Sequence, residues 1–508
     1  MILNHRDYRA DSHFDAEVVV VGTGAGGAAI GAMLAELGVD VLFVEEGGHH
    51  PTSSFNPYLA ESMPRLWRDA GTSVILGRST FLYAEGRCVG GSTVINGAMT
   101  YRAPEEVLQS WHAQVRDDSL GPAAMESWFE RAEQDISAKL HRDIAVGGDN
   151  RIMALGAERA GWHHEKNRRN HIDCVGSNNC ILGCVTGAKQ STLVSYMPRA
   201  LGAGARCLTE VRARRLLIER GRCVGVEGRV VDPRTLKPTG RIRVRAQAVV
   251  LACGAVQTPH LLLQHRVARR SGQLGRNFVT HPNVKVLAIY PHEIGGWRGL
   301  SQWGQVRQFH EEGIILAENM GPSGAVAAAL PFHGRAIWQR MKHYNNMVLS
   351  GVLVEDSNTG RIYRGPFDTA VPVYSITQAD LRQFLRATRL LCGMHFDMGA
   401  ERVILPFTRL HELTSADQIA LIDESRIKIS DLELFTPHLM GSVRLGGDER
   451  DSVVNPDHEV WDLPGCYVSD ASVFPTAIGV NPQVTIMAMA LRAGERLAAR
   501  VLARRRAA

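Results

Sequence analysis

The sequence has no apolar run approaching the ~20 residues that a membrane span requires. Its opening stretch, MILNHRDYRADSHFDAE, is polar and carries none of the hydrophobic core of a secretory leader. Neither a membrane span nor a signal peptide is expected. Cysteine is sparse: nine in 508 residues, most at irregular spacing, make no disulfide scaffold. A reducing, cytoplasmic compartment is therefore the expectation. There is no internal repeat and no low-complexity linker. Charge of one sign is also scarce, with a net of +5 over the whole chain. The one dense basic cluster, RVLARRRAA at the C-terminus, fits a solvated helix end better than a nucleic-acid surface. What is present, 45% hydrophobic and 21% charged residues, is the composition of an ordinary globular enzyme. The length calls for two or more lobes with large cores.

Residues 18–27 read VVVVGTGAGG. The apolar run Val18 to Val21 is followed by Gly22, Gly24 and Gly27 in G-x-G-x-x-G spacing. A helical stretch, AAIGAMLAELG, comes next, and then a second apolar strand, VDVLFVE, ending at Glu45. This β-α-β order with a terminal acid predicts a dinucleotide site. Glycines allow the tight turn and let backbone amides approach a pyrophosphate. The helix N-terminus supplies positive partial charge, and Glu45 is placed to hold a ribose hydroxyl pair.

Further on, residues 76–104 are Gly-rich around Gly90, Gly91 and Gly97, which allows close approach of backbone to a flat ligand. A helical pattern dominates from about Pro104 to Leu140. Residues 205–230 alternate as strands with a turn at Arg220–Gly221, and 241–254 form another strand before the helix VQTPHLLLQHR. Between 285 and 430 the texture changes to strand-like runs (NVKVLAIYPH, NNMVLSGVLVED) and one amphipathic helix. We take 285–430 as a substrate-binding domain. Residues 1–284 and 431–508, which end in a long helix, form a discontinuous cofactor-binding domain.

Four blocks together resemble the glucose–methanol–choline (GMC) oxidoreductases, FAD-dependent alcohol oxidases and dehydrogenases. They are VVVVGTGAGG with Glu45, GRCVGGSTVINGAMTYRAP at 86–104, VVLACGAVQTPHLLL at 249–263, and HLMGSVRLGG at 438–447 with SDASVFPTAIGVNPQVTIMAMA at 469–490. Within the family, CVGSNNCILGCVTGAKQSTLVSYMPRAL at 174–201 is similar in texture to the long-chain alcohol oxidase-like branch. Branch membership does not fix a substrate. The implied fold is α/β: a Rossmann-like FAD-binding domain with a second, α+β domain built on an antiparallel sheet.

The resemblance implies FAD as cofactor, with the protein binding, orienting and tuning it. It places His438 at the catalytic histidine, whose neutral imidazole can take the hydroxyl proton. Asn481 falls at the partner position and can hold the substrate hydroxyl. The loop Gly90, Gly91, Ser92 to Asn96 is implied to wrap the flavin. Some members attach FAD covalently through a histidine where this chain has Ile95, so non-covalent FAD is expected. Val211, Asp470 and Pro482 complete the implied cofactor contacts. Val211 could equally be a plain strand residue, and Asp470 a turn or helix cap. His281 and His458 are read as structural.

Cys174, Cys180 and Cys184 lie in C-x5-C-x3-C spacing, with Ser177 where a ferredoxin-type run has a further cysteine and Val185 where it has proline. Three cysteines could hold a three-iron cluster, as some GMC dehydrogenases do. A degenerate loop of thiols packed near the flavin domain is the plainer reading. The expected function is oxidation of an alcohol to an aldehyde or ketone, the substrate being an aliphatic or sterol-like alcohol or a sugar or natural-product hydroxyl. Electrons would pass to oxygen or to another redox partner, in the alternative reading through that cluster. A lyase or isomerase on the same fold and a non-enzymatic flavoprotein are the alternatives; His438 and Asn481 argue against the latter.

Overall fold

The computed structural model describes residues 1–140 and 146–507. The last residue of the basic C-terminal cluster lies outside them. The first sheet is built around strands β1 (Asp11–Val21), β2 (Val41–Val44), β3 (Arg206–Leu208), β4 (Val211–Glu219), β5 (Arg222–Val231) and β6 (Pro238–Leu251). It has eight strands in all, including Ile2–Leu3 and Cys466–Val468. β1 pairs in parallel with β2 and β6, as a βαβ crossover requires. Val18, Val19 and Val20 are wholly buried, because strands covered on both faces read as unbroken apolar runs.

Helix α1 (Ala25–Glu36) packs on this sheet through small residues. A Cβ on Gly31 would lie 2.2 Å from the Phe43 ring, so glycine there lets the helix approach β2. β4 and β5 form a hairpin whose two turn residues, Arg220 and Gly221, have φ of 50° and 77°. Positive φ at both positions is the turn that matches strand twist. β6 divides its pairing: Pro238–Arg245 run antiparallel to β5, while its last residues, Val249–Leu251, pair in parallel with Cys466–Val468.

A second sheet has ten strands, antiparallel at every pairing but one, that of Phe435–Thr436 with Phe81–Tyr83. Its centre is β7 (Asn283–Ile289), with β8 (Ile314–Glu318) and β9 (Met347–Val354). The amphipathic helix Gln378–Asp397 buries Leu381, Phe384, Leu385 and Leu391. It is started by a capping box in which Thr377 and Asp380 satisfy each other's backbone N–H. The two-part division we propose is interlaced here. Val74–Ile75, Phe81–Tyr83, His164–Lys166 and Phe435–Thr436 all lie outside 285–430 yet belong to this sheet, and residue 284 falls within β7. The chain closes with helix Gln483–Ala507, packed against α1.

Candidate active site

A cavity of about 390 Å³ runs between the two sheets. One end is the glycine cradle. Gly22 has φ +104°, and a Cβ there would lie 2.3 Å from the carbonyl oxygen of Ala252. A Cβ on Gly24 would meet nothing closer than 4.0 Å, so this residue presents bare backbone to the cavity. Gly27 lies behind the wall, where a Cβ would strike Gly22 O at 2.2 Å; its role is helix-to-strand contact. Gly91, at φ +51°, sits so close that its Cβ would be 2.8 Å from the Cα of Gly24. Two segments of backbone thus form a narrow cleft that side chains would fill.

Glu45 is 6% exposed and lines the cavity. One of its oxygens accepts from Thr23 N at 3.0 Å and Thr23 Oγ1 at 2.7 Å, the other from Gly47 N at 2.9 Å. Burial pushes its carboxyl up to about 6 despite those bonds. Thr23 Oγ1 also accepts from Gly90 N at 3.0 Å, which ties the Gly90–Asn96 loop to the fingerprint. Val211 lines the cavity beside Glu45, and its N–H donates to the Glu45 carbonyl at 2.9 Å. Asp470 also reaches the wall, but its carboxylate is engaged: it accepts from Gly254 N at 2.9 Å, Thr258 Oγ1 at 2.6 Å and Ser472 N at 2.8 Å. It therefore serves as a cap while lining the cavity. Ser92 and Pro482 line it too. Asn96 does so with its amide donating to Gln483 Oε1 and accepting from Ala98 N. Ile95, 4% exposed, offers no atom for a covalent link.

At the other end His438, 7% exposed, faces Asn481, with Nε2 3.1 Å from the amide Nδ2. Its Nδ1 lies 3.2 Å from Nδ1 of His281, a fully buried ring. His281 Nε2 accepts from Gly479 N at 3.2 Å, so neutral His281 carries its proton on Nδ1 and donates to His438. In that state the His438 proton sits on Nε2, and the Asn481 amide turns its oxygen toward it. In the other neutral arrangement His438 carries its single proton on Nδ1 and donates to His281 Nδ1, while His281 carries its own on Nε2 and the Gly479 bond is given up at a cost of about 1–3 kcal/mol; His438 Nε2 is then a bare acceptor toward the cavity. Burial, then His281 and Lys285, hold the His438 pKa well below its ordinary value. His458 bonds the Val468 carbonyl at 2.8 Å and does not border the cavity.

The family models for the N- and C-terminal domains of GMC oxidoreductase match residues 63–283 and 358–490. The chain is a GMC oxidoreductase. An uncharacterized GMC-type oxidoreductase of Sinorhizobium fredii is 29% identical over 500 residues, covering 96% of this chain and 95% of that one. A long-chain-alcohol oxidase of Arabidopsis thaliana is 26% identical, over 93% of this chain and 66% of its own. Among solved structures, pyridoxine 4-oxidase from Mesorbium loti superposes with a TM-score of 0.70 at 19% identity, covering 95% of this chain and 99% of that one. That last likeness shows the fold.

In this oxidoreductase the three cysteines do come together, around a void of about 10 Å³ shared with Lys189, Arg169 and His171. Backbone N–H groups point at two of the sulfurs, Gly176 N at Cys174 Sγ (3.5 Å) and Lys189 N at Cys184 Sγ (3.4 Å). Among the described residues, no group of three or more His, Cys, Asp or Glu side chains is arranged to hold a metal ion. Lys189 was not singled out from the sequence. Its buried ammonium donates to the carbonyls of Val94 (2.7 Å), Asn96 (2.9 Å) and Cys180 (2.7 Å), pinning the flavin-type loop to the cysteine loop. Its only sequence signal was a lysine within an otherwise apolar and small stretch. Nor did the sequence show the triad in which Arg68 pairs Glu46 and Glu85, both at 2.9 Å, beneath the cradle. Burial opposes the Glu46 charge, but Arg68 and Arg212 outweigh it and bring its pKa to about 2.

No helix among the described residues is long and apolar enough to cross a membrane.

Proposed function

We propose that this oxidoreductase oxidises a CH–OH group to a carbonyl, with FAD held non-covalently in the cleft between Gly24, Gly91 and Glu45. The observation that carries the reading is the position of His438 and Asn481 on the wall of the same cavity that begins at the cradle. Bare backbone at Gly24 and Gly91 fits a pyrophosphate, and the buried Glu45 fits a ribose. Bound there, FAD would take the hydride from the substrate carbon and deliver the electrons to oxygen. Asn481 holds the substrate oxygen. His438 accepts the hydroxyl proton at Nε2 in the tautomer that carries its own proton on Nδ1, donated to His281 with the Gly479 bond given up. Each alcohol would give one carbonyl compound, its hydroxyl proton on His438 and its hydride on the bound FAD; oxygen taking the two electrons and two protons would leave as hydrogen peroxide. The alcohol oxidases among the relatives support the reaction class.

The test is anaerobic addition of alcohols to the purified flavoprotein. Bleaching of the flavin bands, with aldehyde or ketone recovered, is the expected result. Product formed without any bleaching would point to the lyase or isomerase alternative.

A further inference from the structure

Lys285 lies on β7 and lines the cavity beside His438, close enough to depress its pKa. It makes no ion pair among the described residues, and burial alone acts on it, bringing it down to about 8. The five carboxylates on the cavity wall are occupied elsewhere. Glu45 is bonded to Thr23 and Gly47, Glu46 and Glu85 to Arg68, Asp368 to Arg214, and Asp470 to Gly254 and Thr258. Lys285 is half-buried, and a partly desolvated cation without a counter-ion is costly unless something supplies one.

The surroundings are shaped for this side chain. Across the ladder its partner is Gly351, and a Cβ there would lie 3.1 Å from Lys285 Nζ and 2.5 Å from Asn319 Nδ2. Glycine therefore leaves room for the lysine to lie over β9. Two residues back on the same face, Asn283 also borders the cavity; it is 6% exposed, and its Oδ1 has no hydrogen-bond partner. The unpaired Oδ1 is an acceptor, so Asn283 meets a carboxylate only with its amide turned over, NH2 toward the cavity. An alkyl chain would satisfy neither group.

We propose that the substrate is a hydroxy acid, its hydroxyl at His438 and Asn481 and its carboxylate on Lys285 and Asn283. The Lys285 ammonium, and the Asn283 amide NH2 so turned, then donate to the two oxygens of one carboxylate. This rests on the reaction proposed above and names its substrate class.

The experiment uses the flavin-loaded enzyme and two matched series: 3-hydroxypropionate, 4-hydroxybutyrate and 6-hydroxyhexanoate against 1-propanol, 1-butanol and 1-hexanol. Butyrate, which cannot be oxidised, is titrated separately against the flavin spectrum. Wild type is expected to favour a hydroxy acid in kcat/KM and to give a saturable spectral shift with butyrate. In Lys285→Met the preference for acid over alcohol should fall by about tenfold to hundredfold, and butyrate should bind at least tenfold more weakly. Lys285→Arg should recover much of both, and flavin content checks that each variant is folded. Alcohols that bleach the flavin while hydroxy acids do not, with no butyrate shift, would overturn this inference and leave the proposed reaction standing. Butyrate binding with no bleaching by either series would overturn the proposed reaction instead. A fall in oxygen reactivity of Lys285→Met with an unchanged acid-to-alcohol ratio would also overturn the assignment.

Discussion

His281 and His438 face one another through their Nδ1 atoms, 3.2 Å apart, although 157 residues separate them in the chain. The inner ring thereby chooses which nitrogen of the outer ring is free. Replacing His438 with alanine is expected to slow anaerobic flavin reduction by about 10²–10⁴-fold. His281→Ala should lower kcat with KM little changed, since it removes tautomer control rather than a substrate contact. Stopped-flow absorbance reads both, and a His281→Ala enzyme reducing at the wild-type rate would deny that ring any role.

The pH profile follows from the same pair. Proton acceptance needs neutral His438, and burial with neighbouring positive charge lowers its pKa well below the ordinary 6.5. A lowered pKa means the base form persists as pH falls, so the acid limb of kcat/KM should lie below pH 6.5. Lys285 acts at the other side: with a pKa of about 8 it loses its charge as pH rises through that value. KM for a hydroxy acid should then climb above about pH 8 while KM for a neutral alcohol stays flat. Initial rates from pH 5 to 10 check both limbs.

Gly91→Ala tests the cradle. Its φ of +51° and the 2.8 Å approach to Gly24 Cα involve backbone on both sides, so neither can yield cheaply. The strained conformation alone costs about 1–3 kcal/mol. The variant should purify with little flavin, measured by the flavin-to-protein absorbance ratio; full flavin content would refute the close-packed cleft.

Lys189→Met removes three hydrogen bonds to carbonyls at once, each worth about 1–3 kcal/mol when a buried acceptor is stranded. Relief of the lysine's own desolvation, which pulls its pKa to about 8, offsets part of this. A lower Tm and weaker flavin retention are expected together. A variant with unaltered Tm would show that the loops hold without the tether.

Much of this was legible in the sequence because the signals were local. The glycine spacing before α1, the acid at Glu45, the turn at Arg220–Gly221 and the period of Gln378–Asp397 each depend on a handful of adjacent residues. The second sheet was only half legible. Val74–Ile75 and His164–Lys166 are two and three residues long, too short to show a period of two, and they join by pairing with distant strands. In the site, His438 and Asn481 stood out through motif. Lys285 did not: a lone lysine in NVKVLAIY looks like an outward-facing strand residue, and only the fold shows that its face is a cavity wall. Lys189 was hidden for the same reason, its partners being carbonyls, which no side-chain pattern records.

The divided strand β6 also sets an order in time. Its early pairing with β1 and β5 uses residues made in the first half of synthesis, whereas Cys466–Val468, which lies along its final residues, is made near the end. Asp470, Asn481 and Pro482 come after that late strand and line the cavity. A nascent chain therefore exposes its fingerprint glycines long before it can enclose anything between them and His438. Cofactor capture becomes an event of the finished polypeptide, and a ribosome stalled before residue 466 would carry a sheet short of its Cys466–Val468 strand, with an open mouth.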